Sequence, residues 1–178
     1  MKVDVSYIFK FYETRLKCHV TAVNYFASLL GHSFPDHDGD KNKEPIRTGY
    51  AYVFYNKYHP DGGLLYLKKD YAELCKDAQN EHHKHATHHV QYYSNVSQIP
   101  DVRLYEMISD WASANFEQTN ILGDTQTPCL EKWFDNNMAH LPWTEHQIDI
   151  INKSFKIIRE KTDKNKVISI WDELVKIV

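Results

Sequence analysis

The sequence predicts an all-α fold, a single-domain helical bundle that covers residues 1–178. Apolar residues recur at intervals of three and four positions through several segments, which is the period of amphipathic helices. Valine, isoleucine and threonine do not alternate with polar residues in the way that strands require. A length of 178 residues also fits one domain, since domains typically hold about 100–200 residues.

The N-terminal half is predicted to begin with one long helix over Asp4–Leu30, where apolar side chains follow the helical period and a glycine then stops it. Residues 32–48 mix glycine, proline and charge without apolar periodicity, so we expect a loop with one short helical turn. Helical neighbours favour a short helix over a strand at Tyr50–Tyr58. A turn is expected at 60–63, and one or two further helices at Leu64–Tyr93.

The C-terminal half is predicted to open with a fourth helix that starts near Pro100 and carries Glu106 and Asp110. A polar loop with a glycine is expected at 120–127. The remaining segments predict a helix from Pro128 to about Met138, another after a capping box that begins at Thr144, and a short last helix over Lys164–Val178.

Composition excludes several classes of protein. A formal net charge of -3 provides no basic field, so binding to long nucleic acid is not expected, whereas small phosphate-bearing molecules stay open. No run of about 18 apolar residues and no basic-then-apolar N-terminus occurs, so neither membrane insertion nor secretion is expected. Three cysteines without a CxxC pair suit the reducing cytoplasm, which is the predicted location.

Histidine is the residue whose abundance directs the functional analysis. The chain has eleven histidines, and five of them fall between Glu81 and His89. Neutral imidazole and carboxylate are the ligands that divalent transition metals bind, and helical proteins assemble such sites from facing helices. The candidates in chain order are His19, His37, Asp38, His82, His85, His88, His89, Glu106 and Asp110.

The spacing of the histidine run suggests how one helix would present its imidazoles. At about 100° per residue, His82, His85 and His89 fall within roughly 60° of one another, while Glu81, His85 and His88 share the adjoining strip. Taken alone, the run is as compatible with a solvated polar face or an adventitious metal-binding tract as with a real metal site. The ordered combination of all the candidates favours a metal site.

The order His19, His37-Asp38 and Asp110 resembles the H…HD…D signature of the HD-domain superfamily, all-α metal-dependent phosphohydrolases. The resemblance implies an HD-domain-like bundle in which these four side chains hold one divalent ion. It also implies a second ion beside the first, with His82 and either His88 or His89 as candidate ligands. Asp38 would then bridge the two ions.

Three segments are similar to a family of small bacterial and viral proteins of unknown function with the pattern H…HDxSK…HxxxNxHH…EMxxDW. They are HDGDK at 37–41, HHKHATHH at 82–89 and EMISDW at 106–111. The similarity spans from His19 to about Trp143. The chain departs from the pattern at Asp40, where serine is usual, and at Ala86, where asparagine is usual.

Three functions from different classes follow from these residues. The first is a metal-dependent phosphohydrolase that acts on a small phosphate ester, most plausibly a nucleotide, in the manner of a 5'-nucleotidase. A divalent ion lowers the pKa of bound water, and paired ions can hold nucleophile and phosphoryl oxygen together. The alternatives are a non-catalytic metal-binding protein and an HD-type di-iron oxygenase.

Further roles are assigned to individual residues under the hydrolase hypothesis. Asp38, Lys41 and Glu106 are the candidate catalytic residues, and Glu106 is expected to orient a ligand histidine. Lys41 and His85 are expected to contact substrate, Lys41 as a point charge on a phosphate. The cofactor is one or two ions of manganese, iron, cobalt, nickel or zinc. A homodimer is compatible with the aromatic stretch 50–58 and the C-terminal helices.

Overall fold

The computed structural model describes residues 5–59 and 69–177, with the backbone alone at 69–71. These residues form eight α-helices and contain no strand, so the predicted all-α class is confirmed for the described chain. The predicted turn at 60–63 and the start of the following helix lie outside the described residues. The helices are α1 (Val5–Leu29), α2 (Ile46–Tyr58), α3 (Lys69–His85), α4 (Asp101–Phe116), α5 (Leu130–Asn137), α6 (Glu145–Lys161), α7 (Lys164–Ile170) and α8 (Asp172–Val175).

Most predicted helix limits agree with the structure to within a few residues. α1 ends before Gly31, whose φ of +81° is a conformation that favours glycine. α2 starts at Ile46, four residues earlier than predicted, directly after Pro45. The capping box of α6 is confirmed, because the Thr144 hydroxyl accepts from the Gln147 N–H and the Gln147 side chain accepts from the Thr144 N–H.

The prediction that helix continues to Tyr93 is wrong. α3 ends at His85, and a tight turn follows in which the His89 N–H donates to the Ala86 carbonyl. His88 and His89 therefore lie beyond the helix, and neither shares a helix face with His85. Apart from Gln91, the residues at 87–95 are threonine, histidine, valine, tyrosine, serine and asparagine, all of which are modest helix formers.

Other differences are smaller. α4 continues into a π-helical turn at Glu117–Ile121, so the predicted loop begins slightly later. The last predicted helix is two helices, α7 and α8, which pack on α1. Trp171, between these two helices, is fully buried in the apolar core.

One apolar core joins the long helices, with α1 against α4 and α4 against α6. α2 and α3 approach each other at Gly49, where an added Cβ would lie 2.3 Å from the Ala78 Cβ and 2.8 Å from the Leu74 carbonyl oxygen. This close approach fixes the last turns of α3 over α2, and the His82 ring packs edge-on against Tyr50. Among the described helices, none combines the length and apolarity needed to cross a membrane.

Candidate metal centre

Asp38 lies at the centre of a buried cluster of histidines and carboxylates. It sits in the connection between α1 and α2, just before a short 3₁₀ turn at Gly39–Asn42, and its φ is 60°. Its Oδ2 atom lies 3.4 Å from His19 Nε2 and 3.6 Å from His37 Nε2. Its Oδ1 atom lies 3.4 Å from His82 Nε2 and 3.3 Å from His88 Nε2. One carboxylate thus faces two separate pairs of imidazoles.

The Asp110 half of the cluster consists of His19 from α1, His37 from the connection and Asp110 from α4. Asp110 Oδ1 lies 3.1 Å from His19 Nε2 and 3.7 Å from His37 Nε2. One ligand atom from each of the three residues falls within 4.8 Å of the others. With Asp38 Oδ2, this half offers two imidazole nitrogens and two carboxylates.

The three-histidine half consists of His82 from α3 and His88 and His89 from the turn after α3. The Nε2 atoms of His82 and His89 are 3.0 Å apart, and ligand atoms of all three residues lie within 4.8 Å of one another. The turn after His85 is what returns His88 and His89 to His82. The structure thus places both His88 and His89 in the cluster, where the sequence left the choice open.

Partners on the outer side of the rings hold three of the histidines. The Nδ1 atom of His37 lies 3.1 Å from Glu106 Oε1, that of His82 lies 2.7 Å from Asp40 Oδ2, and that of His19 lies 3.1 Å from the Ser113 hydroxyl. Each contact leaves Nε2 directed into the cluster. Imidazoles that bind metal are usually held in this way.

The contact of Glu106 with His37 agrees with the expected orienting role, which stays a prediction. Asp40 and Ser113 are functional candidates that the sequence analysis missed. Ser113 lies one helical turn after Asp110 and therefore shares its face of α4, a spacing that would have indicated it. Asp40 departs from the family pattern, so that pattern assigns it no role.

The carboxylates of the cluster are held in their charged form. Burial opposes the charge on Asp38, but the cations of Lys41 and His37 hold its pKa well below its ordinary value. Burial likewise opposes the charge on Asp110, whose pKa is held low by hydrogen bonds with His19 and His37. The buried Asp38 and the partly buried Asp110 therefore depend on nearby positive charge and hydrogen bonds.

The histidines differ in the charge that their surroundings favour. Burial lowers the pKa of His37, but Asp38 and the other adjacent carboxylates outweigh burial and raise it to about 10. Burial lowers the pKa of His82, and it lowers that of His89 to about 2. The three-histidine half thus contains neutral imidazole, the form that binds metal, while His37 must lose a proton before it can ligate.

The cluster fits a divalent cation. His37 Nε2, Asp38 Oδ1 and His88 Nε2 are buried and have no hydrogen-bond partner among the described residues. An unpaired buried polar atom costs free energy, and cations bound in the two halves of the cluster would satisfy these atoms. Imidazole with carboxylate is a donor set that manganese, iron, cobalt, nickel and zinc accept.

A comparison with sequence families identifies the family of the chain. Residues 9–165 match the model of DUF5662, which is described as a family of unknown function. The chain belongs to the DUF5662 family. No curated protein and no solved structure gives a significant match to the chain.

Lys41 of this DUF5662 protein lies inside the cluster instead of in solvent. Its Nζ atom is 2.8 Å from Asp38 Oδ2 and 4.6 Å from the centre of the Tyr50 ring. The Tyr12 hydroxyl donates to the Lys41 carbonyl and fixes the backbone of the 3₁₀ turn. A buried ammonium group therefore balances part of the negative charge of Asp38.

The cluster of the DUF5662 protein opens on one side to a cavity of about 410 Å³. Its wall includes His37, Asp38 and His88, together with Arg103, which donates to Glu106 at 2.7 Å. His85 also lines this cavity; its exposed ring lies 3.0 Å from Glu81 Oε1 and contributes to neither half of the cluster. Its predicted contact with substrate stays a prediction.

Proposed function

We propose that this DUF5662 protein is a metal-dependent phosphohydrolase that acts on a small phosphate ester, in particular a nucleotide. The observation that carries the proposal is the position of Asp38, whose two carboxylate oxygens face different sets of imidazoles beside an open cavity. A carboxylate so placed can bridge two divalent ions, an arrangement common in enzymes that hydrolyse phosphate esters.

The resemblance to the HD-domain superfamily supports the same proposal. The side chains of its H…HD…D order, His19, His37, Asp38 and Asp110, lie together in the Asp110 half although they are far apart in sequence. The all-α fold also agrees with that resemblance.

The residues of the cluster would bind two ions, one in each half. The Asp110 half with Asp38 Oδ2 would hold one ion, and the three-histidine half with Asp38 Oδ1 would hold the other. Bound divalent ions would supply an acidified water molecule and polarise a phosphoryl oxygen. Glu106 keeps the His37 ring in place, and the Lys41 ammonium offers positive charge beside Asp38 to an anionic substrate.

A metal-loaded activity screen tests the proposal. The protein is loaded with manganese, cobalt, iron or magnesium, and phosphate release is measured over a panel of nucleotides and phosphomonoesters. We expect release by the wild type and none by His37→Ala, which removes a ligand of the Asp110 half. The matched control is His146→Ala, because His146 is exposed and pairs with Asp101 outside the cluster.

Two results would contradict the proposal. The absence of phosphate release across the panel, with metal bound, would leave a non-catalytic metal-binding protein. Oxygen consumption that requires iron, without phosphate release, would indicate the di-iron oxygenase.

A further inference from the structure

Asp40 makes a contact that the hydrolase proposal does not use. Its Oδ2 atom lies 2.7 Å from His82 Nδ1, the shortest contact between a carboxylate and an imidazole in the described cluster. The His82 side chain is fully buried, and the Asp40 side chain is 28% exposed at the edge of the site. A charged group thus reaches from the rim to the outer nitrogen of a buried ring.

This contact determines which nitrogen of His82 faces the cluster. A carboxylate can only accept, so Nδ1 must carry the proton and donate it to Asp40. In the neutral ring, which is the form that binds metal, Nε2 is then unprotonated, and it lies 3.4 Å from Asp38 Oδ1 and 3.0 Å from His89 Nε2. The ring is therefore held in the tautomer and the orientation that a metal ligand needs.

The alternative, an ordinary surface ion pair, does not explain the geometry. An exposed pair would leave the ring free to rotate, whereas His82 is enclosed by His89, His88 and the edge-on ring of Tyr50.

We propose that Asp40 is a positioning residue that fixes His82 for metal binding and so strengthens the three-histidine half of the centre. This inference rests on the proposed function, since it requires a metal centre at this cluster. The related pattern usually has serine at this position, and a serine oxygen lies one bond closer to the backbone than a carboxylate oxygen. Serine at position 40 would not reach Nδ1 from the same backbone.

The test compares metal binding by variants, with Co²⁺ as the probe. Wild type, Asp40→Ser, Asp40→Asn and Asp36→Asn are titrated at constant pH, and stoichiometry and both dissociation constants are measured by calorimetry. Asp36→Asn is the control, because Asp36 is an exposed aspartate of the same loop whose side chain makes no described contact with the cluster. Thermal unfolding of the metal-free proteins checks that each variant folds.

We expect Asp40→Ser to weaken one of the two Co²⁺ sites by about 10–100-fold and to leave the other unchanged. Asp40→Asn should lose less affinity than Asp40→Ser, because its amide oxygen still accepts from Nδ1–H. Proton NMR of the Co²⁺ protein adds a signature: the exchangeable resonance of the His82 Nδ1–H should persist in Asp40→Asn and disappear in Asp40→Ser. The Asp36→Asn control should match the wild type.

Two results would overturn the positioning role of Asp40 and leave the metal centre in place. One is an Asp40→Ser protein that binds both ions with wild-type affinity while His37→Ala loses metal. The other is an Asp40→Asn protein as weak as Asp40→Ser, which would make the carboxylate a direct ligand or a simple charge. A wild type that binds no Co²⁺ would overturn the metal centre and the inference together.

Discussion

Asp38 holds its buried carboxylate on a backbone with φ of 60° and ψ of 18°. This left-handed conformation costs free energy for most residues with a side chain, and aspartate is among the few that tolerate it. Strained backbone often coincides with functional sites. The side chain that faces both halves of the cluster is thus carried by an unusual backbone conformation.

Two substitutions at Asp38 separate the backbone cost from the role of the carboxylate. Asp38→Ala and Asp38→Gly remove the same group, but only glycine adopts this φ freely. We expect the metal-free Asp38→Gly protein to be more stable than Asp38→Ala by about 1 kcal/mol. Urea unfolding of both variants in the presence of a chelator measures the difference. Equal stabilities would show that the loop relaxes out of this conformation when the carboxylate is lost.

At the residue scale, the sequence predicted the side chains that face the centre of the cluster better than the residues that contact the outer nitrogens of the rings. His19, His37 and Asp110 were predicted as ligands because their order along the chain resembles the HD-domain signature, and the structure brings the three side chains together. Asp40 and Ser113 were missed because each acts through one nitrogen of a particular ring. The spacing of Ser113 from Asp110 places both residues on one face of α4, but which ring nitrogen Ser113 or Asp40 contacts depends on how the helices pack.

At the scale of elements, the contact between α2 and α3 controls the position of the three-histidine half. His82 follows Ala78 by one helical turn, and Ala78 is the residue that packs against Gly49. Gly49→Ala would place a Cβ 2.3 Å from the Ala78 Cβ, so the two helices would have to separate. Overpacking of this kind costs about 1–3 kcal/mol.

We therefore expect Gly49→Ala to lower the free energy of unfolding and to weaken metal binding in the three-histidine half more than in the Asp110 half. Denaturant unfolding and Co²⁺ titration measure the two effects. The double variant Gly49→Ala/Ala78→Gly removes the closer clash and should recover part of both losses. Wild-type Co²⁺ affinity in a destabilised Gly49→Ala protein would show that the helix contact does not position His82.

The helices could be predicted because their apolar residues recur with the helical period, as in α1 and α6, or because a capping box marks their start. The path of the segment after His85 could not be predicted from the sequence. Apart from Gln91, its residues are modest helix formers, and they contain no clear turn signal. Its path is set by the packing of His88 and His89 against His82. Long-range packing of side chains thus decides the local backbone there.

At the scale of the whole molecule, a buried ion pair ties three parts of the fold together. Arg15 of α1 donates through Nε to Glu117 Oε1 at 2.9 Å and through Nη2 to Glu117 Oε2. The Tyr58 hydroxyl at the end of α2 donates to the same carboxylate at 2.7 Å. Burial opposes the charge on Glu117, but Arg15 outweighs it and lowers the pKa of this carboxyl.

Glu117→Gln should destabilise the protein by about 3–5 kcal/mol at neutral pH, because it leaves a buried guanidinium without its counter-ion. The pKa of Glu117 is lower in the folded protein than its ordinary value of about 4.5. The charged carboxylate therefore stabilises the folded state fully above that ordinary value, and this stabilisation is lost as the pH falls through the lower, folded-state pKa. The difference between wild type and variant should therefore shrink in acid. Urea unfolding at pH 7 and below pH 4 measures it; a difference that is independent of pH would contradict the charge-based explanation. The double variant Arg15→Met/Glu117→Met should lower the free energy of unfolding less than Glu117→Gln alone, because it leaves no unpaired buried charge.

Metal should also stabilise the whole fold, since the cluster joins α1, α3 and α4. A ligand that binds only the folded state at 100 times its dissociation constant adds about 2.7 kcal/mol. We expect Co²⁺ to raise the melting temperature of the wild type and of His146→Ala, and chelation to reverse the rise. His37→Ala should show a much smaller rise. An equal rise in His37→Ala would place the bound metal elsewhere.

The separation of the cluster residues along the chain has a consequence for the order of folding. Asp40 and His82 are 42 residues apart, whereas His19 and Ser113 are 94 apart. Closing the longer loop costs more entropy, and contacts distant in sequence form slowly. During refolding, the Asp110 half would therefore be completed only when α4 docks on α1. Metal capture by that half would mark a late step, after much of the helix has already formed.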